Sequence, residues 1–318
     1  MPNWQPNAGR EMLVARAELL GTLRHFFLQR GVLEVSTPLL CTTGVTDPAV
    51  ETLRVTEGRS LDSPRYLQSS PEYALKRLLA SGSGPIYEIC PAFRDGEAGA
   101  RHNPEFTLLE WYRPGYDHHR LMDEVAELVS ACLGDRPMRK LSYQALFLEY
   151  LDLDPFASSC AELKARAGAE IDIGGLDGDT DLWLDLLLSH LIEPQLAGSG
   201  FVFVYDYPAS QAALSRIVTT DDKAIGERFE LYVDGVEIAN GYHELLDAEE
   251  QRRRFQADNE RRQAKGQVPC PIDEGLLAAL DSGLPPCSGV ALGVDRLLML
   301  ATGRDDLRDV LSFDWSRC

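Results

Sequence analysis

Apolar residues recur at helical spacing from Arg10 to Arg30: Leu13, Ala17, Leu20 and Phe27, widened by Leu19, Leu23 and Phe26, with Gly31 where a C-terminal cap belongs. Val32 to Val35 then reads as a strand, with Pro38 just beyond it. Ser70-Pro71-Glu72 opens the next helix, with Ser70 as the expected N-cap and Pro71 as the first helical residue, where a missing N–H costs nothing. Ile86 to Tyr112 reads as strand, polar loop, strand: Ile86, Ile89 and the run Phe106 to Tyr112 are apolar, aromatic or β-branched, while Asp95 to Asn103 is small and charged. His119 to Cys132, Tyr143 to Tyr150 and Leu182 to Ile192 predict helices, and Phe201 to Tyr205 predicts a buried strand running into the loop Pro208-Ala209-Ser210-Gln211. Phe229 to Asn240 is a pair of apolar runs around Asp234-Gly235, a two-residue hairpin signal. A long polar helix carries Arg252 to Arg254, Arg261 and Arg262, expected to form a solvated, salt-bridged face. Cys287 to Gly303 is a glycine-rich strand running into the amphipathic helix Asp295 to Ala301.

Chemistry enters at the ends of these elements. Arg94 stands where the first hairpin strand ends, and His102 and Asn103 where the second begins. Side chains that start from rigid sheet and converge over a loop suit the grip of a polyanion; the bland alternative is a solvated hairpin tip. Glu72 suits either the positive end of its helix or an amino group of a substrate. If Asp234 and Gly235 fill their turn, Val233 opposes Val236 and Tyr232 opposes Glu237. Glu230 then becomes a diagonal neighbour of Glu237 on one sheet face, roughly 7–8 Å away at the backbone. Such a carboxylate pair is either an ordinary solvated face or a place where Mg²⁺ bridges to phosphate oxygens. Gly289 and Gly293 permit close approach of a flat ligand, and Arg296 in the following first turn faces the same space.

Length and composition narrow the class. The 318 residues allow one large domain or two ordinary ones, and a 44% hydrophobic content is ample for a packed core. A net charge of −19 repels nucleic-acid phosphate and argues against a large tRNA-binding surface. Cys41, Cys90, Cys132, Cys160, Cys270, Cys287 and Cys318 are scattered with no C-x-x-C pair, which fits a reducing compartment and neither a disulfide framework nor a zinc site. The N-terminal MPNWQPNAGREM lacks a signal-peptide pattern, and no apolar run approaches the ~20 residues needed to span a bilayer, so a cytoplasmic location and no membrane partner are expected.

Three stretches in order resemble the motifs of class II aminoacyl-tRNA synthetases of the lysine type: GVLEVSTPLL motif 1, FR…HNPEFT…EWY motif 2, and GVALGVDR motif 3. The resemblance implies an α+β fold, an antiparallel sheet of about six or more strands flanked by helices. It also implies a homodimer through motif 1. By that resemblance Arg94 holds the ATP α-phosphate and the amino-acid carboxylate, Arg296 packs on adenine and reaches the γ-phosphate, and Asp95, Gly96, His102, Asn103, Ile238 and Gly293 complete the ATP site. Glu230 and Glu237 would hold Mg²⁺, while Ser70, Pro71, Glu72, Glu110, Tyr112, Asn240, Glu244 and Ala291 would line the amino-acid pocket. Arg94, Arg296, His102 and Mg²⁺ supply positive charge in this reading, and a carboxylate-lined pocket argues for a diamine such as lysine.

Motif 1 starts near residue 10, so the resemblance covers residues 1–318 as a catalytic domain with no anticodon-binding domain ahead of it. LLEWYRPGYD, and Ala291 where tRNA-charging relatives have glycine, resemble the synthetase paralogues that attach (R)-β-lysine to a lysine of elongation factor P. A departure concerns the family's F-R-x-E, because here Gly96 takes the position of the glutamate that contacts adenine, followed by Glu97. Two further readings stay open: a truncated synthetase-like enzyme charging RNA or another amine acceptor, and a non-catalytic regulatory paralogue.

Overall fold

The structure, a computed structural model, describes residues 4–58 and 61–317; Cys318 and the start of the N-terminal segment lie outside them. Along the chain come α1 (Arg10–Gln29), β1 (Leu33–Glu34), β2 (Leu40–Cys41), β3 (Arg54–Val55), β4 (Arg65–Leu67), α2 (Glu72–Ala80), β5 (Ile86–Phe93), β6 (Glu105–Pro114) and α3 (His118–Leu133). Next are β7 (Met138–Ser142), α4 (Tyr143–Leu151), α5 (Cys160–Glu170), α6 (Thr180–Leu187), β8 (Phe201–Pro208), β9 (Ile217–Thr220), β10 (Lys223–Val233) and β11 (Val236–His243). The last are α7 (Ala248–Ala264), α8 (Glu274–Asp281), β12 (Cys287–Gly293) and α9 (Val294–Ala301). Two compact units result: the first runs to Tyr116 and resumes at Glu127–Gly134 and from Leu246, and the second comprises Asp117–Ala126 and Asp135–Leu245.

In the first unit the strand order is β1-β5-β6-β12, with β1 parallel to β5 and the other pairs antiparallel. Helix α1 buries Met12, Leu19, Leu23, Phe26 and Phe27, and Phe27 stacks on Tyr87 with ring centroids 4.3 Å apart. Leu13 and Ala17 of the expected stripe are exposed, so the core face is the widening set, rotated from the one the spacing gave. Gly31 ends the helix at φ +64°, in the left-handed region that favours glycine. The following strand is shorter than Val32 to Val35, pairing only Leu33 with Ile86 and Glu34 with Tyr87.

Two buried ionic ties hold the loops of this unit. Asp295, 2% exposed, receives Arg16 Nη1 from α1 at 2.5 Å and the Thr107 N–H from β6 at 2.7 Å. Arg262 breaks the expectation of a solvated α7 face. Arg252, Arg253, Arg254 and Arg261 do pair at the surface with Glu274, Glu250 and Asp258. The Arg262 side chain, by contrast, is 1% exposed and donates to the carbonyls of Asp47, Val50 and Val268 and to the Glu51 carboxylate. A guanidinium is the one side chain with enough planar donors for that many acceptors.

In the second unit β11, β10, β8 and β7 lie in that order, β9 adds to β10, and β7–β8 is the parallel pair. The core is Tyr143, Leu146, Phe147, Leu163, Trp183, Leu184 and Leu187 from the helices against Val202, Val204 and Tyr207 of β8. Helix α5, capped by the reciprocal bonds of Ser159 and Glu162, was absent from the sequence expectations. The expected helix Leu182 to Ile192 divides into α6 and a π-turn at Leu188–Ile192. Asp234 and Gly235 do form the hairpin turn, with φ +49° and +82°. A side chain at Gly235 would place Cβ 2.7 Å from the Glu193 carbonyl oxygen. Among the described residues no helix is long and apolar enough to cross a membrane.

Replacing Arg262 with Met should leave the carbonyls of the 47–51 loop unpaired and cost about 3 kcal/mol. Urea denaturation checks this, and an unchanged midpoint would show that the guanidinium contributes nothing net.

Candidate active site

In the first unit β5 delivers Arg94 to the mouth of the hairpin. Its backbone N–H bonds the Pro104 carbonyl at 2.9 Å, and the neighbouring Asp95 N–H bonds the Glu51 carbonyl at 2.8 Å, so the loop base is fixed from both sides. The guanidinium lies 5.1 Å from the Phe106 ring centroid and 3.7 Å from Glu97 Oε1. Its Nε is buried and makes no hydrogen bond. A buried charged donor without an acceptor is costly, and an anion placed there would relieve the cost. Gly96 has φ +78°, a conformation in which glutamate is strained, which accounts for glycine standing in the F-R-x-E pattern.

Arg296, in the first turn of α9, donates from Nε to the Arg101 carbonyl at 3.2 Å and from Nη2 to His102 Nε2 at 2.8 Å. Arginine only donates, so Nε2 is the acceptor and the His102 proton sits on Nδ1. Burial, and next the Arg296 charge, hold the His102 pKa below the usual imidazole range. His102 is therefore neutral near pH 7, a correction to its expected role as a supplier of charge; it steers Arg296. Asn103 is spent on the chain itself, donating to the Glu105 carbonyl at 2.6 Å and accepting the Trp315 N–H at 3.0 Å. Gly293 precedes α9, and the atoms nearest to a Cβ there would be those of the Arg296 side chain, at 3.8–3.9 Å.

The acidic residues of this unit carry partners. Glu110, 2% exposed, accepts Ser70 Oγ at 2.6 Å and Tyr112 Oη at 2.9 Å. Ser70 Oγ accepts the Glu72 N–H at 3.1 Å, while Pro71 stands one place before the helix, which begins at Glu72 rather than at the proline. Glu72 Oε1 receives Lys76 Nζ at 2.6 Å, and Lys76 is buried. Glu110 pairs in register with Ala291, and Tyr112 with Gly289. A methyl at 291 thus neighbours the carboxylate that the sequence assigns to the substrate pocket.

In the second unit a bulge rearranges the carboxylates. Tyr232 opposes Glu237 as expected, but Leu231 opposes Ala239, so Ile238 is an extra residue and Glu230 opposes Asn240. Without that bulge strict alternation would send Glu237 and Asn240 to opposite faces. Glu230 stays two residues from Tyr232, the partner of Glu237, on the same sheet face, but its oxygens are engaged: one by Arg228, the other by Tyr207 Oη at 2.7 Å and Tyr232 Oη at 2.6 Å. Burial, and next the Glu230 charge, keep both phenols well above the usual tyrosine pKa, so they remain donors. Asn240 accepts from Arg228 Nε at 3.2 Å and donates to Tyr242 Oη at 3.0 Å. Glu237 is half-buried, and Ile238 and Glu244 are buried.

A family model described as tRNA synthetases class II (D, K and N) matches residues 4–316. The chain belongs to this class II synthetase family. Among its relatives, an elongation factor P–(R)-beta-lysine ligase of Salmonella typhi is 48% identical over 320 residues, covering 99% of this chain and 98% of its own. The proteins of the same name from Salmonella paratyphi B and Salmonella schwarzengrund are 47% identical with the same coverage. Arg228 and Lys76, which pair with the candidate carboxylates Glu230 and Glu72, are residues that sequence reasoning passed over. Lys76 was legible as the i+4 partner of Glu72, and Arg228 as the cation two places from Glu230 on one strand face.

Because neutral His102 is favoured in the fold, its contribution to stability is complete above the ordinary imidazole pKa of about 6.5 and is lost as pH falls below it. Protonation would also set a cation against Arg296. The KM for ATP in pyrophosphate exchange should rise more steeply below pH ~6.5 in the wild type than in His102→Gln. Parallel profiles for the two proteins would remove His102 from this role.

Proposed function

We propose that this chain is an ATP-dependent ligase that adenylates (R)-β-lysine, or lysine, and transfers it to a lysine side chain of elongation factor P. The observation that carries the reading is the end-to-end match, 99% of this chain against 98% of a 48% identical elongation factor P–(R)-beta-lysine ligase. Supporting it is the buried, unpartnered Nε of Arg94. In the first step a carboxylate oxygen of the amino acid attacks the ATP α-phosphorus and pyrophosphate leaves. In the second, the acceptor amine attacks the acyl carbon, an amide forms, and AMP and a proton depart. Both steps need charge stabilisation and alignment more than acid–base groups.

The first unit supplies Arg94 for the α-phosphate and carboxylate, and Arg296, steered by His102, for the outer phosphate and adenine. Asp95, Gly96, Asn103 and Gly293 shape the loop and strand that carry them. Ser70, Glu72, Glu110, Tyr112 and Ala291 take the amino-acid role, with Glu110 as a carboxylate for a substrate ammonium. In the second unit Asn240 and Glu244 take the same role. Hard oxygen donors suit Mg²⁺, and Glu237 fits as its ligand. Glu230, with its oxygens engaged by Arg228, Tyr207 and Tyr232, does not; it fixes Arg228 and Asn240 instead. Mg²⁺ would supply charge that neutralises phosphate.

A homodimer through the motif 1 segment is part of the proposal, since Leu13, Val14, Leu28 and Leu33 of that segment are exposed, Leu28 by 76%. Sedimentation should give twice the chain mass, reduced to the single mass in Leu28→Glu/Leu33→Glu; a wild-type monomer would remove this element. The activity itself is tested by the intact mass of purified elongation factor P after incubation with this chain, ATP, Mg²⁺ and (R)-β-lysine. One added lysyl unit, absent with Arg94→Ala, is expected. Transfer to tRNA in place of the protein would favour the synthetase reading, and no adenylation at all the regulatory one.

A further inference from the structure

Glu227 and His243 follow the last registered pair of the β10–β11 hairpin, Arg228 with Tyr242, and lie outside the residues given catalytic or binding roles above. His118 opens α3 in the same unit, 4% exposed. Neither of its ring nitrogens makes a hydrogen bond, and Asp206 Oδ1, 3.4 Å from Nε2, is out of alignment for one. His243 Nδ1 is buried and lies 2.8 Å from Glu227 Oε2, so these two side chains are already in contact. One ligand-capable atom from each of His118, Glu227 and His243 lies within 4.8 Å of the others.

We propose that His118, Glu227 and His243 form a binding site for a divalent transition metal of the zinc class, separate from the Mg²⁺ that accompanies ATP. Two imidazoles and a carboxylate are the borderline donor set that suits Zn²⁺ and disfavours Mg²⁺, which demands oxygen. Bond lengths of about 2.0–2.2 Å put the ligand atoms of tetrahedral zinc roughly 3.3–3.6 Å apart, which small side-chain rotations of this triplet reach. The two buried ring nitrogens of His118, neither of them hydrogen-bonded, are groups that call for a partner, and a metal would supply it. Asp206 beside His118 stands where an outer carboxylate would orient a ligating ring. Arg216 is the competitor: it pairs with Glu227 through Nε and, at 3.0 Å, through Nη2 to Oε1. Metal binding at Oε2 would loosen the first contact and leave the second. The scattered cysteines gave no sign of this, because the ligands come from α3, β10 and β11, far apart in sequence.

The test is calorimetric titration of the full chain, stripped with EDTA, with Zn²⁺ in saturating Mg²⁺. One Zn²⁺ per chain is expected, with binding weakened by about 100-fold or more in His118→Asn and in His243→Asn, since loss of a ligand exceeds the outer-shell effect. Arg216→Gln removes the competitor and should bind at least as tightly as wild type, an outcome that a merely structural ion pair would not give. The melting temperature, with circular dichroism to establish folding, should rise on adding Zn²⁺ to the wild type and to Arg216→Gln but not to the histidine variants. No zinc binding by the wild type, or binding that both histidine variants retain, would overturn the proposal.

Discussion

The Asp295 carboxylate is the tie on which the first unit depends. It receives Arg16 from α1 and the Thr107 N–H from β6, and Arg16 also reaches Thr107 Oγ1 at 2.6 Å. One buried anion therefore joins the helix of motif 1, the second strand of motif 2 and the helix of motif 3. Arg296 is its immediate neighbour, and Arg94 is bonded through Pro104 to the strand on the other side. The two guanidinium groups assigned to the nucleotide are thus held against a common point rather than by flexible loops. Preorganisation of this sort is what lets fixed charges act on a phosphate without reorganising at the moment of reaction.

A net charge of −19 sets the second constraint. The buried carboxylates Glu110 and Glu230 are met by specific donors, Glu110 by Ser70 and Tyr112 and Glu230 by Arg228 and two tyrosines, and the half-buried Glu72 is met by Lys76. An unpaired buried charge would shift its pKa and neutralise instead. The acidic pocket proposed for a diamine is consequently not a bare negative hole. In the proposed pocket Ala291 is the cross-strand partner of Glu110, so its methyl stands beside that carboxylate.

Much of this was legible in the sequence. The hairpin of Arg94 and His102, the Asp234-Gly235 turn and the strand-to-helix run of motif 3 each announce themselves by local period and turn chemistry. The Ile238 bulge does not, because an extra residue in a ladder leaves no mark on apolar patterning, yet it puts Asn240 and Glu230 in one cross-strand pair. Arg262 in a run of arginines and His118 beside His119 look solvated until the tertiary fold surrounds them. The protonation of His102 likewise depends on Arg296, remote in sequence. Local rules found the elements; burial of charge, set by distant partners, decided what several of their polar residues do.

The central claim is that the Arg94 fork, with its buried Nε, holds the reacting phosphate. The most direct measurement is ATP–pyrophosphate exchange dependent on (R)-β-lysine, comparing the wild type with Arg94→Lys, which keeps the charge and loses the fork. The account predicts exchange in the wild type and a fall of about 10²–10³ in kcat for the lysine variant, the scale of losing one preorganised donor. Equal exchange by the two proteins would contradict it.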